Sequence, residues 1–266
     1  MSEEGAPEPE EIYERTKAEG RRRLTRPPLE VASTAIAAGV DVVFGIAALG
    51  FAQAAVEPRF GKEFAHLAGA IAFGISFVFI IVGRSELFTE NFLVPLAGLD
   101  HRRRGAWANL AKLWLTSPIF NVVGGLVIIL LLSTHSVLPY GSGATLVHTA
   151  AIVHANGVLA LFVSAVFAGA LITALTWFVE GQQSMLVRVV VAWIAGAMLA
   201  LGAFNHVIVV TLELIFGYRY GLHMHWTFIA GNFGLAAAGN MLGGIGLVTL
   251  NRLTQGSQGA RGRTSA

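Results

Sequence analysis

Six apolar stretches, each long enough to cross a bilayer, constrain this chain more than any other feature. They cover approximately residues 31–56, 66–96, 107–132, 152–179, 186–216 and 228–250. A helix rising 1.5 Å per residue needs about 20 residues to cross a hydrocarbon core of about 30 Å. Composition agrees: 13% of residues are charged, against roughly 25% in soluble chains, and the mean hydropathy is +0.65. The 31 glycines fit membrane helices, whose backbones approach closely at small residues. The absence of cysteine excludes a disulfide scaffold, a thiolate metal site and a cysteine nucleophile. There is also no phosphate-binding glycine loop, no nucleophile elbow and no extended basic face for nucleic acid.

The first 28 residues are acidic and then basic, without the apolar core of a secretory signal. Residues 10–26 read either as an amphipathic helix on the membrane surface or as a solvated tail. Lys and Arg counts in alternate connections set the orientation. Thirteen lie with the two termini, in the N-terminal tail, at Arg102 to Arg104, at Arg188 and in the C-terminal tail. Three, Arg59, Lys62 and Arg219, lie on the other side, and the connection over 133–150 has none. Both termini are therefore expected in the cytoplasm, with the chain multi-pass in the inner membrane and lipid around it. The expected divisions are a tail over 1–29, a transport domain over 30–250 with halves 30–132 and 150–250, and a tail over 251–266.

Two markers recur between the halves. Asn121-Val-Val-Gly-Gly in the third stretch is echoed by Asn240-Met-Leu-Gly-Gly in the sixth, a separation of 119 (240 − 121). The second and fifth stretches, too long for one plain span, are interrupted at Leu87-Phe88-Thr89 and Phe204-Asn205-His206; Thr89 and His206 are separated by 117 (206 − 89). Three crossings per half make the second half enter from the opposite side. The expected fold is thus an all-α membrane protein, an inverted 3+3 repeat with broken second and fifth helices, the arrangement in which paired interruptions mark a transport site.

The second stretch reads Gly83-Arg-Ser-Glu-Leu-Phe-Thr-Glu-Asn91. A charge at a helix centre in hydrocarbon costs about 2.5 to 3.5 kcal/mol on insertion scales, so these side chains are expected to face a cavity or protein interior. His206 is the corresponding candidate in the fifth stretch, because imidazole donates to an anion when neutral and carries charge when protonated. Asp41 is expected to find a pore or interhelical hydrogen-bond partner, and Gly239-x-x-x-Gly243 a close helix contact.

The run Glu86-Leu87-Phe88-Thr89, the break at His206, the Asn121 and Gly239-Asn240 helices and the six-span layout together resemble the formate/nitrite transporter family over most of residues 30–250. That resemblance implies an aquaporin-like protomer, a homopentamer with one pore per subunit, and no cofactor, metal or enzymatic activity. It implies that Thr89 and His206 face each other between two constrictions, the outer one Phe73 and Leu199, the inner one Phe77, Leu87 and Phe88. Asn205 is then a pathway residue, with Glu86, Glu90, Asn91, Asn121 and Asn240 in support. The implied substrate is a small monovalent weak-acid anion such as formate or nitrite.

The chain departs from the better-known branches of that family. Asn205 stands where they carry Glu, Val210 where they carry Asn and Gly169 where a fourth-helix Asn supports the histidine; no Lys follows Lys112 to serve an outer vestibule. Two other readings stay open at this stage. One is a neutral-solute channel of the aquaporin type, although the paired Asn-Pro-Ala motifs are absent. The other is an intramembrane metal-binding enzyme using Glu213, His206, His223 and His225.

Overall fold

The computed structural model describes residues 7–263, so residues 1–6 and 264–266 of the two expected tails lie outside it, as do the side chains of 258–263. All the described regular structure is helical. Helix α1 (Pro9–Thr25) starts on a proline and carries Glu10 and Glu11 in its first turn and Arg22 and Arg23 in its last, the charge order that complements the helix dipole. Residues 9–25 are thus helical, and the helix packs on other helices of the chain. Gly20 lies so close to α4 (Val94–Ala97) that a Cβ would strike the Val94 carbonyl.

Helix α2 (Pro28–Phe73) covers the first apolar stretch and the start of the second. Gly61, with φ at 79°, divides it; that conformation favours glycine. Gln53 meets Gly69, and Phe73 and Ser76 meet Gly45, so the chain doubles back there without a loop. Helix α3 (Ile75–Gly83) continues the second stretch and stops. After an irregular segment come a short 3-10 helix, Phe88–Phe92, and then α4. Helix α5 (Ala106–Leu132) packs along α2, with Gly39 and Gly124 admitting backbone contact.

The connection over 133–150 differs from expectation, because residues Ser142–Ala155 form helix α6. Leu146, Ala150 and Val153 bury one face of it. Charge counting assigns a segment to a side of the membrane and carries no information on whether that segment is helical.

Helix α7 (Val158–Gly181) is followed by α8 (Met185–Leu201), then by an irregular stretch, then by α9 (Val207–Arg219). Every residue of α9 from Val207 to Leu214 is buried, and only Tyr218 and Arg219 at its end are exposed, which places the helix at the centre of the bundle. Helix α10 (Trp226–Met241) runs through a π-helical segment, Leu242–Thr249, into α11 (Leu250–Arg263), so the described part of the expected C-terminal tail is helical. Gly239 and Gly243 rest on α7.

Among the described residues, Pro28–Gly83, Ala106–Leu132, Val158–Gly181 and Trp226–Ser257 are long and apolar enough to cross a membrane; Met185–Leu201 is apolar but shorter. Phe44, Phe79, Ile119, Leu130, Phe167 and Ile194 are among the large apolar side chains left exposed on the outside. In water a display of this kind drives association, whereas in lipid it is the matched surface.

Candidate functional site

The two irregular segments meet in the middle of the bundle, and each is suspended from one buried asparagine. In the first, Asn121 of α5 donates through Nδ2 to the carbonyls of Ala35 (2.8 Å) and Glu86 (3.0 Å), and its Oδ1 accepts from the Phe88 N–H (2.9 Å). In the second, Asn240 of α10 donates to Ala165 (2.8 Å) and Asn205 (3.1 Å), and accepts from the Val207 N–H (2.9 Å). Each amide thus ties down a backbone carbonyl and an N–H that a broken helix leaves without internal partners.

The sequence separations match as well: 35 to the carbonyl and 33 to the N–H in both halves. These bonds put the internal period at 119 at the breaks also. His206 is therefore the counterpart of Leu87, and Asn205 of Glu86; the expected pairing of His206 with Thr89 as equivalents is two residues out of register. Side-chain polarity differs between the two segments, whereas their backbone bonds to the asparagines coincide.

Thr89 and His206 are nevertheless brought together. Thr89 Oγ1 lies 2.8 Å from His206 Nε2, and both residues are fully buried. His206 caps α9, its Nδ1 accepting from the Val209 N–H at 3.3 Å. A ring nitrogen that accepts carries no proton, so this bond assigns the neutral tautomer with the proton on Nε2. Nε2–H then donates to Thr89 Oγ1, which leaves the Thr89 O–H to be offered to another acceptor. The positive end of the thirteen-residue α9 points at the same place.

Phe73, Phe77, Leu87, Phe88 and Leu199 are all buried in the apolar cluster around this pair. The Phe77 ring meets His206 edge-on at 6.5 Å between centroids. Leu199 opens onto a cavity of about 1000 Å³ on the side away from the termini, shared with Gln53, His148, Phe204 and Glu213. On the termini side, a cavity of about 210 Å³ is lined by Arg22, Arg23, Arg26, Arg84, Glu86, Glu90 and Arg188 among others.

The supporting residues divide sharply. Glu90 accepts from the Leu87 N–H (3.3 Å), Asn91 donates to Ser117 (3.5 Å) and its carbonyl accepts from Trp114 (2.8 Å). Arg23 of α1 donates to Asn91 Oδ1 at 3.2 Å and stands 3.9 Å from Glu90, while Arg26 forms a buried ion pair with Glu86. Burial pulls the Arg26 guanidinium down to about 10, with Arg23 and Arg22 adding repulsion, so it remains charged at neutral pH. Asn205 instead exchanges two hydrogen bonds with Asn232 (2.9 and 3.1 Å) and donates to Leu161 (3.2 Å). Gly169 leaves room for the Asn240 backbone, which a side chain there would strike. Asp41 accepts from Ser85 at 2.6 Å.

Arg23, Arg26, Ser117 and Asn232 are absent from the sequence-derived set. Asn232 carried a readable signal, an amide in the same apolar stretch as Asn240. The arginines did not, since nothing in a basic tail says which of its charges folds back. His223 and His225 do not converge with Glu213 and His206; no group of three His, Asp or Glu suited to a metal occurs among the described residues.

The formate/nitrite transporter family model matches residues 10–253. The chain belongs to that family. It is 25% identical over 245 residues to the inner membrane protein YfdC of Escherichia coli (strain K12), covering 90% of this chain and 76% of that one. To the formate channel FocA of the same organism it is 33% identical over 117 residues, 42% of this chain and 39% of FocA. In fold it is similar to a pentameric formate channel with formate bound, with a TM-score of 0.72 at 17% identity over 84% of this chain and 95% of that one. A second solved structure, an FNT family ion channel, gives a TM-score of 0.73 at 20% identity over 90% and 96%. Family membership makes this a multi-pass transport protein of the membrane.

Proposed function

We propose that the chain conducts small monovalent weak-acid anions such as formate or nitrite, with Thr89 and His206 as the central binding pair. The observation that carries this reading is their hydrogen bond, which leaves the Thr89 hydroxyl proton free at the positive end of α9. An anion stripped of water in an apolar constriction is costly unless it is paired or neutralised. Thr89 O–H, Nε2–H and the α9 N-terminus soften that cost, and a proton shared with the imidazole lets a weak acid pass the Phe and Leu constrictions as its neutral form. Strong-acid anions gain nothing from that proton and are disfavoured.

The same reading takes residues 30–250 as the transport domain, an inverted repeat of six crossings with the termini in the cytoplasm. The matched Asn121 and Asn240 bonds support the repeat, and the Lys and Arg count supports the orientation. A homopentamer with a pore in each subunit belongs to the same reading, supported by the similarity to a pentameric formate channel.

The test is flux of formate, nitrite and chloride into proteoliposomes from about pH 5 to 8, a range bracketing the ordinary imidazole value near 6.5. His206→Ala is expected to remove pH-dependent selection of weak acids over chloride, by blocking flux or by leaving an unselective leak. Thr89→Val is expected to weaken anion binding while keeping the pH response. Wild-type selectivity and pH profile in His206→Ala would reduce the histidine to a structural hydrogen-bonding residue.

A further inference from the structure

The cavity on the side away from the termini contains a carboxyl that the central pair does not use. Glu213 is 8% exposed, and that exposure opens onto the cavity. Its carboxyl has no hydrogen-bond or ion-pair partner among the described residues, in contrast to Glu86 and Glu90 on the other side. Glu213 stands seven residues after His206 on α9. Two turns of helix put it on the same face, about 10 Å further out. An anion moving between this cavity and the Thr89–His206 pair passes it.

The groups that face it come from few elements. From α2 the cavity takes Glu57, Lys62, Glu63 and His66, the last fixed by a 2.9 Å bond to the Leu201 carbonyl. From α6 it takes His148, and from the preceding connection Tyr140. Helix α10, also packed on α9, has no titratable residue, and the only one in α5, Lys112, lines a cavity on the termini side. Lys62 is the one fixed cation in this vestibule, against three carboxyls. The cavity on the termini side sets five arginines, Arg22, Arg23, Arg26, Arg84 and Arg188, against four glutamates, so it does not share this acidic excess.

We propose that Glu213 is a proton-operated anion filter: ionised, it repels an anion between the vestibule and the central pair, and protonated, it admits the anion and offers it an O–H. This rests on the anion-conducting reading above. An ionised carboxylate is acceptor-only and a protonated one donates, so one proton changes both the charge and the hydrogen-bonding sense of the passage. The sign is fixed. Lowering the pH on this side fills the carboxyl and raises flux in either direction, because ions moving both ways cross the same barrier. The pH of the termini side does not act through Glu213.

The test uses the full-length protein in vesicles of defined sidedness, with formate and nitrite as probes. The pH of the vestibule side is stepped from about 5 to 8.5 while the other side is fixed. The ratio of Glu213→Gln flux to wild-type flux removes the changing fraction of neutral acid. That ratio is expected to be roughly tenfold at the alkaline end, the Boltzmann factor of one charge at about 10 Å with an effective dielectric near 20, and to fall toward one at the acid end. Glu57→Gln with Glu63→Gln, both nearer solvent, is expected to stay within about twofold of wild type throughout. In wild type, raising salt on this side from about 0.01 M to 1 M shortens the screening length from about 30 to 3 Å. It is expected to increase flux at alkaline pH and not at acid pH, a measurement that stands even if the variant fails to assemble. A ratio of one at every pH, or a salt effect independent of pH, overturns the filter while leaving the anion channel intact. No formate or nitrite flux from wild type at any pH overturns the channel reading and the filter with it.

Discussion

The two interruptions hang from equivalent asparagines and are braced by opposite chemistries. At the first, the residue beside the suspended carbonyl is Glu86, whose partner is Arg26 just beyond α1, and Glu90 and Asn91 reach Arg23 of the same helix. At the second, the equivalent residue is Asn205, whose partner is the neutral Asn232 of α10, inside the bundle. The backbone geometry of a broken helix therefore needs the amide, and the charge placed around it is a separate choice. One break depends on an element outside the transmembrane bundle; the other is self-contained.

The largest expected effect breaks the shared part. Asn121→Ala and Asn240→Ala each strand a carbonyl and an N–H of the break in the interior, at about 1 to 3 kcal/mol per group, and remove a further bond to a helix carbonyl. Both variants are expected to lose about 5 kcal/mol and with it the native oligomer peak in detergent chromatography. A severe loss from one and none from the other would end the equivalence of the two breaks. Next comes the charged brace. Arg26→Ala leaves Glu86 buried and unpaired, and losing one member of such a pair costs about 3 to 5 kcal/mol. Hydrogen exchange is expected to rise over residues 84–92 and to stay unchanged over 202–208; equal increases in both would refute the separate bracing.

The neutral brace is expected to matter less. Asn232→Ala leaves Asn205 with its Leu161 bond and loses the reciprocal pair, a cost of about 1 to 3 kcal/mol. Exchange then rises over 202–208 alone. The smallest effect is the pH response of the brace. Burial acts to raise Glu19, but Arg22 and Arg23 outweigh it and hold its carboxyl below the ordinary 4.5. Its stabilisation is therefore complete above that value and is lost as pH falls through the lowered one. Protease access to α1 is expected to be flat from about pH 8 to 5 and to increase below, by about 1 kcal/mol at most for so solvated a network. Glu19→Gln removes the step.

How much of this was legible in the sequence follows from range. Apolar length marked the long helices, the recurring Asn-x-x-Gly-Gly marked Asn121 and Asn240, a polar residue in hydrocarbon marked His206, and the family resemblance marked Thr89. The correspondence between the two asparagine-tied segments was legible to within two residues. Its register slipped since side-chain polarity diverges between halves: Leu87 and His206 share a backbone role and no chemistry. Helix α6 was missed because a connection without Lys or Arg has the same charge signature whether or not it is helical. Arg26 to Glu86 joins two segments sixty residues apart, and no local pattern encodes it.

Helix α1 stands early in the described chain, and part of its seat is built by helices far along it. It lies on α4, on α7 through Ile12 at Gly181, and on α11 through Tyr13 at Gly256. Arg23 and Arg26 thus meet Glu86, Glu90 and Asn91 from a platform to which α4, α7 and α11 all contribute, so a disturbance at the far end of the described chain is transmitted to the first break through α1.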